Sequence, residues 1–216
     1  MAKLSDLGFL KGIIVETIVS TYNEDKTPNA APMGVLIRDE QHLTIDLFNS
    51  TLTCRNIAQN MCAVLNLTSN IEVFYKTTFK EANPDGKLPA DWFEKSQVIN
   101  APKIRLADAT IDIAIDKFLP VDEQKTKAVF NVKLIEAKEK YPQVHSRAMS
   151  QTLEAIIHAT RVKALSNDPK QRKKVNHLLE MIDDCDKVVN RVAPNSPYSL
   201  VMADLIKRID LWRRQK

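Results

Sequence analysis

Glycine is scarce in this chain of 216 residues: only Gly8, Gly12, Gly34 and Gly86 are present. No GxGxxG and no GxxxxGK[ST] can be assembled from them, so the standard dinucleotide and Walker phosphate loops are excluded. Any bound phosphate must be held by side chains and a helix start. Cysteine is also sparse. Cys54, Cys62 and Cys185 form no CxxC pair and are too few and too scattered for a disulfide frame or a zinc site. The four histidines, His42, His145, His158 and His177, have no metal-motif spacing. No metal is expected. No segment approaches the ~20 uninterrupted apolar residues of a membrane span, and the N-terminus has no signal-peptide pattern. The expectation is a membrane-free protein of a reducing cytoplasm.

What is present reads as ordinary globular composition, 44% hydrophobic and 27% charged. The net charge is +4, with the basic excess in residues 144–216. The run Trp212-Arg213-Arg214-Gln215-Lys216 could touch nucleic acid or an anionic ligand, or simply suit a helix C-terminus. Without interleaved aromatics the second reading is preferred, and nucleic acid is not the expected partner.

Strand patterns cover Gly12–Thr21, Ala31–Arg38, His42–Phe48, Cys62–Leu67, Glu72–Lys76, Ala109–Asp116 and Lys127–Lys138. On Ala109–Asp116, Ile111, Ile113 and Ile115 share one face, while Asp112, Ala114 and Asp116 share the other. A short helix fits Thr53–Gln59. Residues 77–102 hold turn and breaker residues, including Asn83-Pro84-Asp85-Gly86. They read as an irregular excursion with a short helix near Ala90–Lys95. Within it, Trp92 and Phe93 would pack on the barrel rather than cover a ligand. From about Val144 the period becomes helical: Ser146–Leu165, Pro169–Arg191 and Pro197–Arg214, the last two preceded by cap residues and opened by proline. The fold class expected is α+β, a barrel unit over residues 1–143 followed by a three-helix segment over 144–216. Asp183-Asp184-Cys185-Asp186 falls mid-helix without calcium-loop spacing and reads as a solvated face.

The densest chemistry lies between Asn29 and Thr68. Three pieces stand in order: Ala31-Pro32-Met33-Gly34-Val35, then Ser50-Thr51-Leu52-Thr53-Cys54-Arg55-Asn56-Ile57, then Val64-Leu65-Asn66-Leu67-Thr68. The middle piece opens a helix with hydroxyl and amide side chains. A helix start offers unpaired N–H groups and a positive dipole end, a good seat for phosphate. Arg55 adds a charge-assisted contact or points to solvent. Taken singly, these are also ordinary turn and cap residues.

The ordered set resembles the flavin reductase-like group of FMN-binding split-barrel proteins. More closely, it is similar to split-barrel flavoproteins known only as domain of unknown function 447 (DUF447). The resemblance implies an FMN-binding split β-barrel followed by a C-terminal helical segment. It also implies FMN as cofactor, a homodimer with flavin at the subunit interface, and FMN contacts from Met33, Gly34, Val35, Ser50, Thr51, Thr53, Asn56 and Asn66. Gly34 would admit the flat ring to the main chain, and N–H groups near Met33 to Val35 would stabilise charge on the reduced ring. Glu16-Thr17 on the first strand matches a pair in that family; Glu16 either enters the site or faces water. On the first long helix, Arg147, Gln151, Glu154, His158 and Arg161 form one stripe. Glu154 to Arg161 resembles that family's helical motif. Glu16, Arg147, Glu154, His158 and Arg161 are therefore candidates for substrate contact, with exposed ion pairs as the plain alternative for the stripe.

The function implied is an FMN-dependent oxidoreductase. It would pass hydride or electrons between the flavin and a reduced nicotinamide, deazaflavin or pterin-like small-molecule partner. No residue stands out as acid or base. A non-enzymatic FMN carrier or sensor and a nucleic-acid-binding barrel are the alternatives.

Overall fold

The computed structural model describes residues 2–139 and 146–214. The expected junction between residues 143 and 144 lies outside the described residues, as does His145. The chain forms two units, Met1–Thr68 with Phe79–Tyr141, and Ser69–Thr78 with Pro142–Lys216.

The first unit is a closed antiparallel barrel. Its strands are β1 (Ile14–Tyr22), β2 (Pro28–Ile37), β3 (His42–Phe48), β4 (Cys62–Leu67), β7 (Ala109–Pro120) and β8 (Lys125–Ala137). Their order around the barrel is β1-β2-β3-β8-β7-β4, and β4 closes onto β1 through Ile18↔Asn66 to Ser20↔Val64. Two register shifts in the β7–β8 pair bend these long strands, as closure requires. Strand alternation sends Val19, Val35, Leu43, Ile45, Leu65, Ile111, Ile113 and Phe130 inward to one core. Helix α1 (Leu52–Asn60) adds Ile57 to that core. Thr51 caps α1, accepting the Cys54 N–H at 3.3 Å, and Met61 ends it in a left-handed conformation.

The excursion is more structured than its composition suggests. The expected helix near Ala90–Lys95 is instead a single 3-10 turn, Ala90–Trp92, running into β5 (Phe93–Lys95). β5 pairs with β6 (Pro102–Ile104) as a separate two-stranded flap. Pro89 breaks any helix before it, and pairing with β6 decides the extended state of Phe93. The flap is fastened to the outer barrel wall. Ser20 Oγ donates to the Pro102 carbonyl at 2.5 Å, and the Ile104 N–H donates to Asn66 Oδ1 at 2.7 Å.

The second unit holds α2 (Ile71–Thr78), α3 (Arg147–Leu165), α4 (Arg172–Val192) and α5 (Pro197–Arg214). The strand expected at Glu72–Lys76 is in fact α2. Its β-favouring run Ile-Glu-Val-Phe-Tyr is overridden by a local start signal, the Glu72 N–H donating to Asn70 Oδ1 at 3.0 Å. Tertiary anchoring completes the override: the Tyr75 hydroxyl donates to Asp204 Oδ2 at 2.7 Å and accepts from Arg208 Nε at 2.8 Å. The expected fold class, a β-barrel followed by a C-terminal helical segment, is the fold observed. Among the described residues no helix is long and apolar enough to cross a membrane.

Candidate functional site

The barrel end closed by α1 carries a buried polar cluster. Thr21 on β1 and Asn29 on β2 point inward there, where Thr53 and Asn56 of α1 meet them. The Asn29 amide donates to Thr21 Oγ1 at 3.5 Å and to Thr53 Oγ1 at 3.4 Å. The Asn56 amide donates to Thr21 Oγ1 at 3.0 Å and to Asn23 Oδ1 at 2.9 Å. Thr53 and Asn56 thus fix the start of α1 against the barrel, their side chains already engaged.

Lys80, from the excursion, enters this cluster. Its ammonium donates to Asn29 Oδ1. Burial pushes the Lys80 pKa below the usual lysine range, and among the described residues no nearby carboxylate opposes that shift. A cation is therefore held one side chain away from the first turn of α1, whose dipole is also positive. The main-chain N–H groups of Leu52 and Thr53 precede the first intrahelical bond there. Two positive features of the same sign, without a neutralising side chain among the described residues, are the electrostatic form of an anion seat. Ser50 and Thr51 stand at its edge; the Thr51 hydroxyl also donates to the Phe48 carbonyl at 2.8 Å.

The other expected site residues fall in different places. Gly34 and Glu16 are cross-strand partners on the outer face of β1 and β2. A Cβ on Gly34 would meet Ile14 Cγ2 at 2.7 Å and Glu16 Oε1 at 3.6 Å. The bare backbone there is thus lined by Ile14, which is 61% exposed, and a ring laid on Gly34 would first displace that side chain. Met33 is half-buried, and its carbonyl accepts from Thr17 Oγ1 at 3.3 Å. Val35 lies wholly in the barrel core and has only main chain to offer. Asn66 is 0% exposed, beneath the flap. Its amide donates to the Ile18 carbonyl and Ser20 Oγ, both at 2.8 Å, while Oδ1 accepts from Ile104. Its hydrogen-bonding capacity is taken up in joining β4 to β1 and β6.

The α3 stripe is split by burial. Arg147, Glu154 and Arg161 are exposed, whereas His158 is only 6% exposed and its Nδ1 has no hydrogen-bond partner among the described residues. Burial lowers the His158 pKa, and Glu154 opposes that shift. The ion pairs considered for this stripe, Glu154–His158 and Arg147–Glu154, do not form among the described residues. A stripe at spacings of three and four drifts around the helix, so its members need not share one environment.

Lys80 and Asn29 were missed by sequence reasoning. Lys80 sits in a segment without periodicity, and Asn29 precedes the first motif by two residues. An isolated lysine next to Phe79 carries no local signal of burial. Among the described residues no cluster of His, Cys, Asp or Glu could hold a metal ion.

Residues 15–141 match the family described as "Protein of unknown function (DUF447) N-terminal domain". Among solved structures the chain is similar to an FMN-bound protein of Methanosarcina mazei, described with that family. The identity is 25%, the TM-score 0.77, and the match covers 95% of this chain and 99% of the other. It is also similar to a Shewanella frigidimarina protein described as a candidate flavin reductase with a split barrel domain. There the identity is 11%, the TM-score 0.51, and the coverage 67% and 78%. The second likeness is one of fold alone, the split barrel.

Proposed function

The chain belongs to the DUF447 family, and from that premise we propose that it is an FMN flavoprotein that exchanges hydride or electrons with a small-molecule partner. One observation carries the reading: the uncompensated Lys80 cation beside the start of α1. The FMN-bound relative, similar over 95% of this chain, supports it.

The residues present fit a flavin phosphate. Lys80 would supply a charge-assisted hydrogen bond, and the Leu52 and Thr53 N–H groups and the Ser50 hydroxyl would complete the seat, with Thr51 joining them only by turning its hydroxyl from the Phe48 carbonyl. Asn29, Thr53 and Asn56 would orient that set rather than bind directly, because their side chains already hold one another. Met33 and Gly34 remain the candidates for the ring end, with Ile14 turning aside. When bound, FMN supplies the redox chemistry; the protein supplies orientation and electrostatics. Glu16 Oε1, beside Gly34, is the nearest carboxylate to that end and the candidate substrate contact on the barrel. Arg147, Glu154 and Arg161 would offer exposed charge to an anionic or zwitterionic substrate. His158, held toward neutrality by burial, would offer an acceptor nitrogen.

A homodimer is part of the proposal. Phe48, Leu52, Leu119 and Val121 are exposed apolar side chains. The Asn49 N–H donates to the Gln124 carbonyl at 2.8 Å, tying the turn before α1 to the β7–β8 hairpin tip. This gathers the four at the barrel end next to the proposed phosphate seat, a surface suited to a second copy.

The test is an absorbance spectrum of the purified chain before and after added FMN, followed by gel filtration with mass determination. Flavin bands that co-elute with a dimer are the expected result. Anaerobic mixing with reduced nicotinamide, deazaflavin and pterin donors then reads turnover. Retained FMN without turnover by any donor would make the chain a carrier. A protein that ignores FMN would overturn the reading.

A further inference from the structure

The helical unit contains a second feature of the same sign, built from none of the residues proposed for the flavin. The end of α3, the turn after it, the first turns of α4 and the last turn of α5 enclose a cleft of about 630 Å³. That volume falls within the range of small-molecule sites, roughly 300–1,000 Å³. Arg172, Arg213 and Arg214 line it, with Asp168, Asp210 and the buried Val175. Asp168 is already committed to a turn, accepting the Lys170 N–H at 2.9 Å. Among the described residues none of the three arginines has a carboxylate within 4.0 Å.

The two helices that contribute these arginines differ in what their charge does. Arg213 and Arg214 stand at the C-terminal end of α5, where a cation suits the dipole. The start of α4 has the opposite arrangement. Its first turn has no acidic residue and its N-cap position, Gln171, makes no side-chain cap. Instead Lys170, Arg172, Lys173 and Lys174 crowd the positive end of the dipole, which is the wrong sign for helix stability. An anion in the cleft would neutralise that start and the α5 arginines together. The α5 wall is held in place: Lys163 of α3 lies 5.0 Å from the Trp212 ring centroid, and Ile209 is buried. Guanidinium forks that line one cleft from two helices suit the oxygens of a phosphate group, which each fork can bind two at a time. None of the cleft residues is aromatic, so the stacking platform that a single-stranded nucleic acid uses is missing.

We propose that this cleft binds a small molecule through a phosphate or diphosphate group. The proposal stands independently of the flavin seat in the barrel. Its test is isothermal titration of the full chain with inorganic pyrophosphate at physiological ionic strength, with FMN present, for the wild type and the R172Q/R213Q double variant. Wild type should bind. The double variant should bind about tenfold more weakly or worse, with flavin content and circular dichroism unchanged. If the double variant does not fold, Arg172→Lys retains the charge, removes the fork, and should still weaken binding several-fold. No binding by wild type, or equal affinity in the folded variants, overturns the proposal. So does an oligonucleotide that binds more tightly than pyrophosphate with affinity rising with strand length.

Discussion

Replacing Lys80 with Met removes the cation that Asn29 holds near the start of α1. Methionine keeps an unbranched side chain of similar length, so packing around Asn29 is largely preserved. In the ligand-free protein the lysine is a burden: burial alone acts on it, lowering its pKa. Its removal relieves that cost but leaves the buried Asn29 Oδ1 without its donor, so the two effects oppose each other and the melting temperature should change little. With FMN the balance reverses. A hydrogen bond to a charged group contributes about 1.5–3 kcal/mol, which corresponds to a rise in Kd of roughly 10- to 150-fold. Riboflavin has the same ring without the phosphate, so its affinity should be nearly the same in wild type and variant. Quenching of flavin fluorescence, titrated with both ligands against both proteins, closes the cycle. The pH dependence provides a second check. A lysine whose folded pKa is depressed loses its charge at a lower pH than the free side chain. Wild-type FMN affinity should accordingly fall as pH rises through that lowered pKa, below the ordinary 10.5, and the variant should lack this limb. Equal losses of FMN and riboflavin affinity, or no loss of either, would refute the phosphate assignment.

Other perturbations separate structural from ligand-binding roles. Asn66→Ala strands the Ile104 N–H beneath the flap and should cost about 2–4 kcal/mol in urea unfolding; a loss below about 1 kcal/mol would contradict the hydrogen-bond geometry. Asp112 is buried under the flap, accepts from Ser96, and has one carboxylate oxygen without a partner among the described residues. Burial raises its pKa, so its charged form destabilises the fold at neutral pH and is relieved as pH falls toward the folded pKa. Asp112→Asn should thus be neutral or stabilising at pH 7 and should flatten the fall of stability with rising pH above the ordinary carboxyl value of 3.8; an unchanged slope in melts between pH 4 and pH 7 would count against it. Gly34→Ala presses only on the exposed Ile14 and should cost under about 1 kcal/mol of stability, while raising the FMN Kd if the ring lies there. An unchanged Kd would move the ring elsewhere.

The barrel and its following helices were legible because their signals are local. The alternation of Ile111, Ile113 and Ile115 survives as the inward face of β7. The proline-opened helix patterns survive as α4 and α5, α4 proper beginning at Arg172 after a 3-10 turn over Pro169–Gln171. The Ser50–Asn56 piece survives as the capped start of α1. Where reading failed, a competing long-range contact had won. Ile71 to Tyr75 has strand composition, yet Tyr75 is held by Asp204 and Arg208, more than a hundred residues away. Asp112 alternates as an exposed residue should, yet the flap covers it.

The sequence alone determined which residues alternate, where helices start and stop, and that no glycine-rich phosphate loop exists, because those properties depend on neighbours along the chain. Tertiary structure decided which outward-facing side chains are exposed and which charges are left uncompensated. Asn66 became a fastener and Lys80 an unpaired cation because segments remote in sequence, the flap and the excursion, closed over the barrel wall and end. Burial and electrostatic environment are set by what arrives from elsewhere in the fold, and no local pattern encodes that arrival.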